Sequence, residues 1–399
     1  MIWGILIGIL LFMFLVFIHE LGHFLAAKKA GVKVLEFGIG IPPRAVTLFT
    51  DKSGTRYTLN WIPLWGFVRL KGENPQSEDF LDADSFITAS LPWKLIILAA
   101  GVVVNFLFAR FIFSAAFVAG VQPITVVPDN MMPGEMQSYL MPTPTFLANN
   151  GFLSGSVQEL PAQVVWFLDE SIGADAWLLS GDVITRIQDT LVDNTTLGTT
   201  LKSLAGSTFS ITIQRADQEQ QLQITCPSDT CLLWVQISSG WSQEILPIQM
   251  WIADAIWAGL QEIIAQSKLT FSVLGTLGKN LTSGDSKKAK KSVDQLSGPV
   301  WIVKFGDTIL KQWGIWMYLA FGGMISLALA LFNILPIPAL DGGRALSVII
   351  QKLFRIPART YFAFEWYFNF FFFVLLMLLG IYIIGIDLER FWWVDVPGL

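Results

Sequence analysis

The chain has 399 residues, 53% of them hydrophobic and only 14% charged. Soluble domains carry about 25% charged residues, so this chain lacks the polar surface to cover itself in water, and a soluble cytosolic enzyme is excluded. The net charge of −5, from 26 basic and 31 acidic residues, leaves no general basic footprint, so no nucleic-acid partner is expected.

The apolar residues gather in four stretches long enough to cross a bilayer, which takes about 20 residues of helix. The first, residues 2–27, is apolar until His19 and Glu20 and is closed by Lys28 and Lys29. It lacks a basic n-region, and cleavage would discard the chain's two histidines, so it is a span rather than a signal peptide. Between residues 34 and 72 the pattern turns to strands, Arg56–Ile62 and Gly66–Lys71, separated by a turn region at Pro63 and Gly66. The second span runs from about Leu95 to Val121 and carries Asn105 and Arg110. Residues 122–240 follow. Within them Ala176–Ile187, Phe209–Arg215 and Gln221–Thr225 resemble the second half of one PDZ domain, placed at about 145–237. The only cysteines, Cys226 and Cys231, flank four residues there; a hairpin-closing disulfide and two free thiols are both open. Residues 245–265 hold Gln249, Asp254, Gln261 and Glu262, too polar for lipid on all sides, and fit an amphipathic interfacial helix within a 241–315 segment. The third and fourth spans run from about Trp316 to Leu335 and from Tyr361 to Ile386, within 316–399.

Basic residues near span ends orient the chain. Lys28, Lys29, Lys33, Arg44 and Lys94 flank one side with Arg344, Lys352, Arg355 and Arg359; the other side has Lys304, Lys311 and Arg390. This puts 28–94 and 338–360 in the cytoplasm, and both termini with the 122–240 region outside. The predicted fold class is an α-helical polytopic membrane protein with four transmembrane helices. The unit 1–121 (spans 1 and 2) carries a cytoplasmic, membrane-associated β-loop, and an extracytoplasmic α+β PDZ-like domain follows.

His19-Glu-Leu-Gly-His23 matches the HExxH pattern. On a helix, residues i and i+4 share a face one turn apart, so both imidazoles can reach one Zn²⁺, and Glu20 is placed to take a proton from water rather than to bind metal. The bland alternative is two polar side chains joining helices. A catalytic zinc needs a third protein ligand. No other histidine exists and both cysteines lie across the membrane, which leaves a carboxylate. Asp341, in Asn333-Ile-Leu-Pro-Ile-Pro-Ala-Leu-Asp341-Gly-Gly-Arg344, is the candidate, with a plain surface turn as its alternative. Gly342 and Gly343 would let the backbone turn sharply there. Topology agrees: Asp341 reaches the histidine side only if a single span separates spans 1 and 3.

These two motifs, with Pro63–Glu73, Gly101-Val-Val-Val-Asn105-Phe, Ser297-Gly-Pro-Val300 and the single PDZ-like module, resemble the site-2 protease family of intramembrane zinc metalloproteases, in its bacterial regulator-of-sigma-E type. Gly101-Val102 stands where that family usually has Gly-Pro, and Trp177 where glycine is common. The resemblance implies one Zn²⁺ per chain on His19, His23 and Asp341, with Glu20 as general base. It implies that Asn333 and Asn105 stabilise the oxyanion or hold substrate, and that Gly66, Phe67, Val68 and Arg69 pair with an unwound substrate strand. Interhelical hydrogen bonding for either Asn and a simple sheet edge for the strand are the alternatives. The implied activity is proteolysis of single-span membrane proteins in the lipid bilayer, such as anti-sigma factors or signal-peptide remnants. A non-catalytic PDZ-bearing membrane scaffold is the competing reading.

Overall fold

The computed structural model describes residues 2–124, 138–152, 162–167, 178–179, 181–193, 196–204, 206–215, 218–226, 235–237, 245–285, 289–290, 293 and 298–393. They form two compact units: residues 1–124 with 249–399, and residues 125–248.

In the first unit α1 (Ile2–Lys29) leads into a bent antiparallel hairpin of β1 (Val34–Thr50) and β2 (Arg56–Leu70), then α2 (Leu91–Ala119). After the second unit come α3 (Ile252–Thr282), α4 (Pro299–Gln312), α5 (Gly314–Asn333), α6 (Asp341–Leu353) and α7 (Ala358–Trp393). Among the described residues four helices are long and apolar enough to span a membrane: Leu6–Lys29, Leu91–Ala119, Gly314–Asn333 and Ala358–Glu389. The chain is a polytopic membrane protein. Helix α3 is not among the four; its buried side includes Ala255, Ala258, Gly259 and Glu262, while Trp251 and Trp257 are exposed.

Where every surface is apolar, helices associate by close packing of small residues rather than by hydrophobic exclusion. A methyl added to Gly22 of α1 would lie 2.6 Å from the Ala100 carbonyl of α2, and one on Gly323 of α5 would lie 2.9 Å from the Phe113 ring. The Ser326 hydroxyl of α5 donates to the Asn105 carbonyl of α2 at 3.1 Å. Large apolar side chains such as Leu10, Phe111, Phe364 and Phe371 point outward, where lipid would solvate them. At the far end of α7, buried Asp387 accepts from the Gly298 and Trp301 N–H groups at 3.1 and 3.0 Å, capping α4 from another helix. A side chain on Gly298 would run into that carboxylate, which explains the Gly-Pro step before α4.

The hairpin departs from the expected pair of strands, because β2 runs unbroken through Pro63. Its two arms diverge: Glu36–Ile39 pair with Arg56–Leu59 on one side and with Gly66–Arg69 on the other. Pro63 falls at the bend between these arms, where no partner pairing is lost. Gly66–Leu70 thereby becomes an edge. Buried Glu36 anchors the hairpin, accepting from Arg44 at 3.0 Å, Arg69 at 2.8 Å and the Thr58 hydroxyl at 2.9 Å.

The second unit is an antiparallel sheet in the order β7 (Gln218–Thr225), β6 (Thr208–Arg215), β4 (Val183–Ile187), β3 (Ala162–Phe167), β8 (Val235–Ile237), with β5 (Thr190–Leu191) beside β4. Phe209, Ile211 and Ile213 alternate into its core with Ile184, Ile187 and Ile224. Asp182, after the positive-φ Gly181, is 1% exposed and accepts from Leu179 N–H and from two Arg215 nitrogens, all at 2.7 Å. Burial alone would raise its pKa, but the guanidinium and the amide hold it below the ordinary carboxylate value. Cys226 lies in this core and is not a free thiol; Cys231, Trp177 and Ser297 lie outside the described residues.

Candidate metal centre

Helix α1 carries His19 and His23 on one face, one turn apart, with ring centroids 4.8 Å from each other. Asp341 is the first residue of α6. Its Oδ2 lies 3.1 Å from His19 Nε2 and 3.2 Å from His23 Nε2, and the two Nε2 atoms are 3.2 Å apart. The three side chains are 9%, 11% and 18% exposed. Residues 322 positions apart in sequence thus converge on one point inside the helix bundle.

Helix α2 shapes that point from below. The Ile97 carbonyl accepts from His23 Nδ1 at 2.7 Å, which fixes the proton on Nδ1 and turns the Nε2 lone pair toward Asp341. A methyl on Gly101 would sit 2.7 Å from His19 Nε2 and collide with His23 Nε2. The glycine therefore makes room for both rings.

The stretch that delivers Asp341 is built on close approach. Gly342 and Gly343 are not at positive φ, contrary to the expectation of a sharp glycine turn. They are helical, and a side chain on either would strike the Ile334 or the Ile337 carbonyl, so the glycines let α6 start against the Pro-broken end of α5. The left-handed residue is Ala339, with φ +74, and its N–H donates to Asn369 Oδ1 of α7 at 3.1 Å. Three residues past Asp341, Arg344 donates to Glu73 Oε1 at 2.8 Å.

Donor chemistry fits a zinc ion. With both rings neutral and the His23 proton held at Nδ1, three atoms rich in lone pairs face one another, with room for one proton, on His19 Nε2, between them. Tetrahedral zinc ligands at 2.0–2.1 Å would lie about 3.3 Å apart, close to the separations here. These three are the group of metal-ligating side chains found together among the described residues.

Glu20 stands beside the cluster. The position of a side chain on Gly66 is 3.0 Å from Glu20 Cγ, so the edge of the hairpin comes directly against this residue. Asn105 lies four residues after Gly101, fully buried, with neither amide atom hydrogen-bonded among the described residues. Asn333 is the last residue of α5 and half-buried. Neither asparagine is hydrogen-bonded to the three clustered side chains. Sequence reasoning missed Asn369, Glu73 and the Ile97 carbonyl. Only Asn369 had a signal, an amide within an apolar run.

Comparison with known proteins fits this geometry. The peptidase family M50 profile matches residues 7–379. A putative zinc metalloprotease of Rickettsia conorii, RC0203, is 26% identical over 355 residues, covering 85% of this chain and 86% of that protein. The regulator of sigma-E protease RseP of Salmonella typhimurium is 25% identical over 88% of this chain and 91% of its own length. Zinc metalloprotease RasP of Geobacillus kaustophilus is 26% identical over 96% and 97%. With the profile spanning nearly all of its length and relatives of this kind matched end to end, the chain belongs to peptidase family M50 and is a zinc metalloprotease.

Proposed function

We propose that this protein cleaves peptide bonds of single-span membrane proteins within the bilayer, with His19, His23 and Asp341 as the zinc ligands and Glu20 as the general base. The observation that carries the reading is the 3.1–3.2 Å triangle of two imidazole nitrogens and one carboxylate oxygen inside a bundle of apolar helices. Ionisable groups at such depth are costly and are kept for function.

Bound zinc supplies a Lewis acid that brings the pKa of water down to about 7. Glu20 takes up the water proton on its carboxylate and later hands it to the leaving amine nitrogen. Asn105, buried with its amide unpaired, and Asn333 offer N–H groups to the carbonyl oxygen as charge develops there. A helical substrate hides its carbonyls in its own hydrogen bonds and must unwind; Gly66, Phe67, Val68 and Arg69 are the edge to which the extended segment adds as a strand.

In this reading the active site faces the cytoplasmic side of the inner membrane, with both termini and a PDZ-like domain at about 145–237 outside. The basic flanks of the spans and the sheet order of the second unit support it. The relatives named for regulating sigma-E make anti-sigma factors one substrate class, with signal-peptide remnants another. The test is Glu20→Gln. Cleavage of a single-span reporter should vanish while one zinc per chain remains; unchanged cleavage would remove Glu20 from the mechanism.

A further inference from the structure

The edge strand Gly66–Leu70 has a built-in end. Lys71 N–H turns inward and donates to the Lys33 carbonyl at 2.9 Å, whereas Leu70 N–H turns outward and donates to Glu73 Oε2 at 2.9 Å. Backbone groups alternate sides along a strand, so Val68 and Gly66 share the outward side with Leu70. The next rung after Val68 is already taken by a carboxylate of the chain itself. That carboxylate is clamped: its other oxygen accepts from Arg344 at 2.8 Å, and the Arg344 guanidinium lies 5.8 Å over the Phe86 ring. A cleft of about 800 Å³ opens at the Arg69–Leu70 end of this edge, with Arg69, Leu70, Glu73, Arg344, Trp366 and Asn369 in its wall. Glu73 therefore stands in the wall of open space at the end of the edge, where the next rung of a ladder would form.

We infer that Glu73 is the stop of the substrate ladder, a positioning residue that sets which peptide bond is cut. At about 3.3 Å per residue, Leu70 lies roughly 13 Å along the strand from Gly66, which abuts Glu20. A substrate strand can pair with Gly66 and Val68 but not with Leu70, because its next carbonyl would meet the Glu73 carboxylate instead of an N–H. The stop thus fixes how far the substrate slides past the general base, and Arg344, on the first turn of the helix that begins at Asp341, ties that register to the clustered side chains. The inference rests on the proposed strand addition at Gly66–Arg69.

The test uses the purified full-length chain and a single-span reporter, with cut positions read by mass spectrometry. Proline is walked through the reporter on the side of the cut facing the edge strand; it removes a backbone N–H while loosening the reporter helix. With the unaltered enzyme, proline should lower cleavage at least tenfold at two alternate positions, opposite Gly66 and Val68, and be tolerated at the third, opposite Leu70. Glu73→Ala should make the third position sensitive and add a second cut displaced by two residues. Glu73→Gln, which still accepts from Leu70 N–H, should keep the single original cut. Sensitivity at all three positions in the unaltered enzyme, or one unshifted cut in Glu73→Ala, would overturn the stop. Should Glu73→Ala not fold, the scan on the unaltered enzyme decides alone. Absence of any position-dependent proline effect would instead remove strand addition itself, and the stop with it.

Discussion

Asp182 in the sheet unit and Asp341 in the membrane unit are both taken largely out of water, and their neighbours treat them in opposite ways. Asp182 is surrounded by donors, an amide and a guanidinium fork, each at 2.7 Å. Its burial is complete in itself and serves the fold. Asp341 instead faces the Nε2 atoms of two imidazoles at 3.1 and 3.2 Å, and neutral His23, whose Nδ1 donates to the Ile97 carbonyl, presents only a lone pair. With both rings neutral the pocket gathers lone pairs, an arrangement suited to a cation. Nearby, His19 Nδ1 and both amide atoms of Asn105 lack hydrogen-bond partners among the described residues. Buried polar groups are normally paired, so this concentration of unpaired ones marks where function outweighs stability.

Substitutions can sharpen the contrast. The largest effect is expected from Asp341→Ala, which should abolish both zinc retention and reporter cleavage while leaving the melting temperature of the metal-free protein unchanged or higher; metal analysis and calorimetry read both. Asp182→Asn should do the reverse, keeping zinc while destabilising the sheet unit by about 3 kcal/mol, as expected when a buried pair loses one partner. Hydrogen exchange of the β6 amides measures that loss. Gly101→Ala is the intermediate case. Alanine favours a helix over glycine by about 1 kcal/mol, so any loss reports the collision with the two imidazoles; zinc affinity should fall by roughly 10–100-fold. The smallest effect is on pH dependence. The folded pKa of Asp182 lies below its unfolded value, so its contribution is present above about pH 4 and fades as pH falls through the folded value. Protection of β6 should weaken on acidification, and Asp182→Asn should remove that part of the slope.

What could be read in advance followed the range of the interaction. The meeting of His19 and His23 was legible because helical spacing puts i and i+4 together, and that of Asp341 with them because the chain offers so few alternative ligands. The four spans came from local apolar runs, and the segments that form β4, β6 and β7 from their likeness to half of a PDZ module. Pro63 was misjudged as a break because the divergence of the two β2 arms, which spares it a lost hydrogen bond, depends on pairing with β1. Gly342 and Gly343 suggested conformational freedom, yet their role is close approach to the Ile334 and Ile337 carbonyls, which only the folded backbone reveals. The Glu73–Arg344 pair joins positions 271 residues apart with no local period to announce it.

The most direct test of the central claim is zinc-edge X-ray absorption on the Glu20→Gln protein, in which substrate turnover should be blocked. One zinc per chain with two imidazole nitrogens and oxygen completing the shell, lost on Asp341→Ala, is the expected result. A zinc bound through sulfur, or one whose spectrum is untouched by Asp341→Ala, would contradict it.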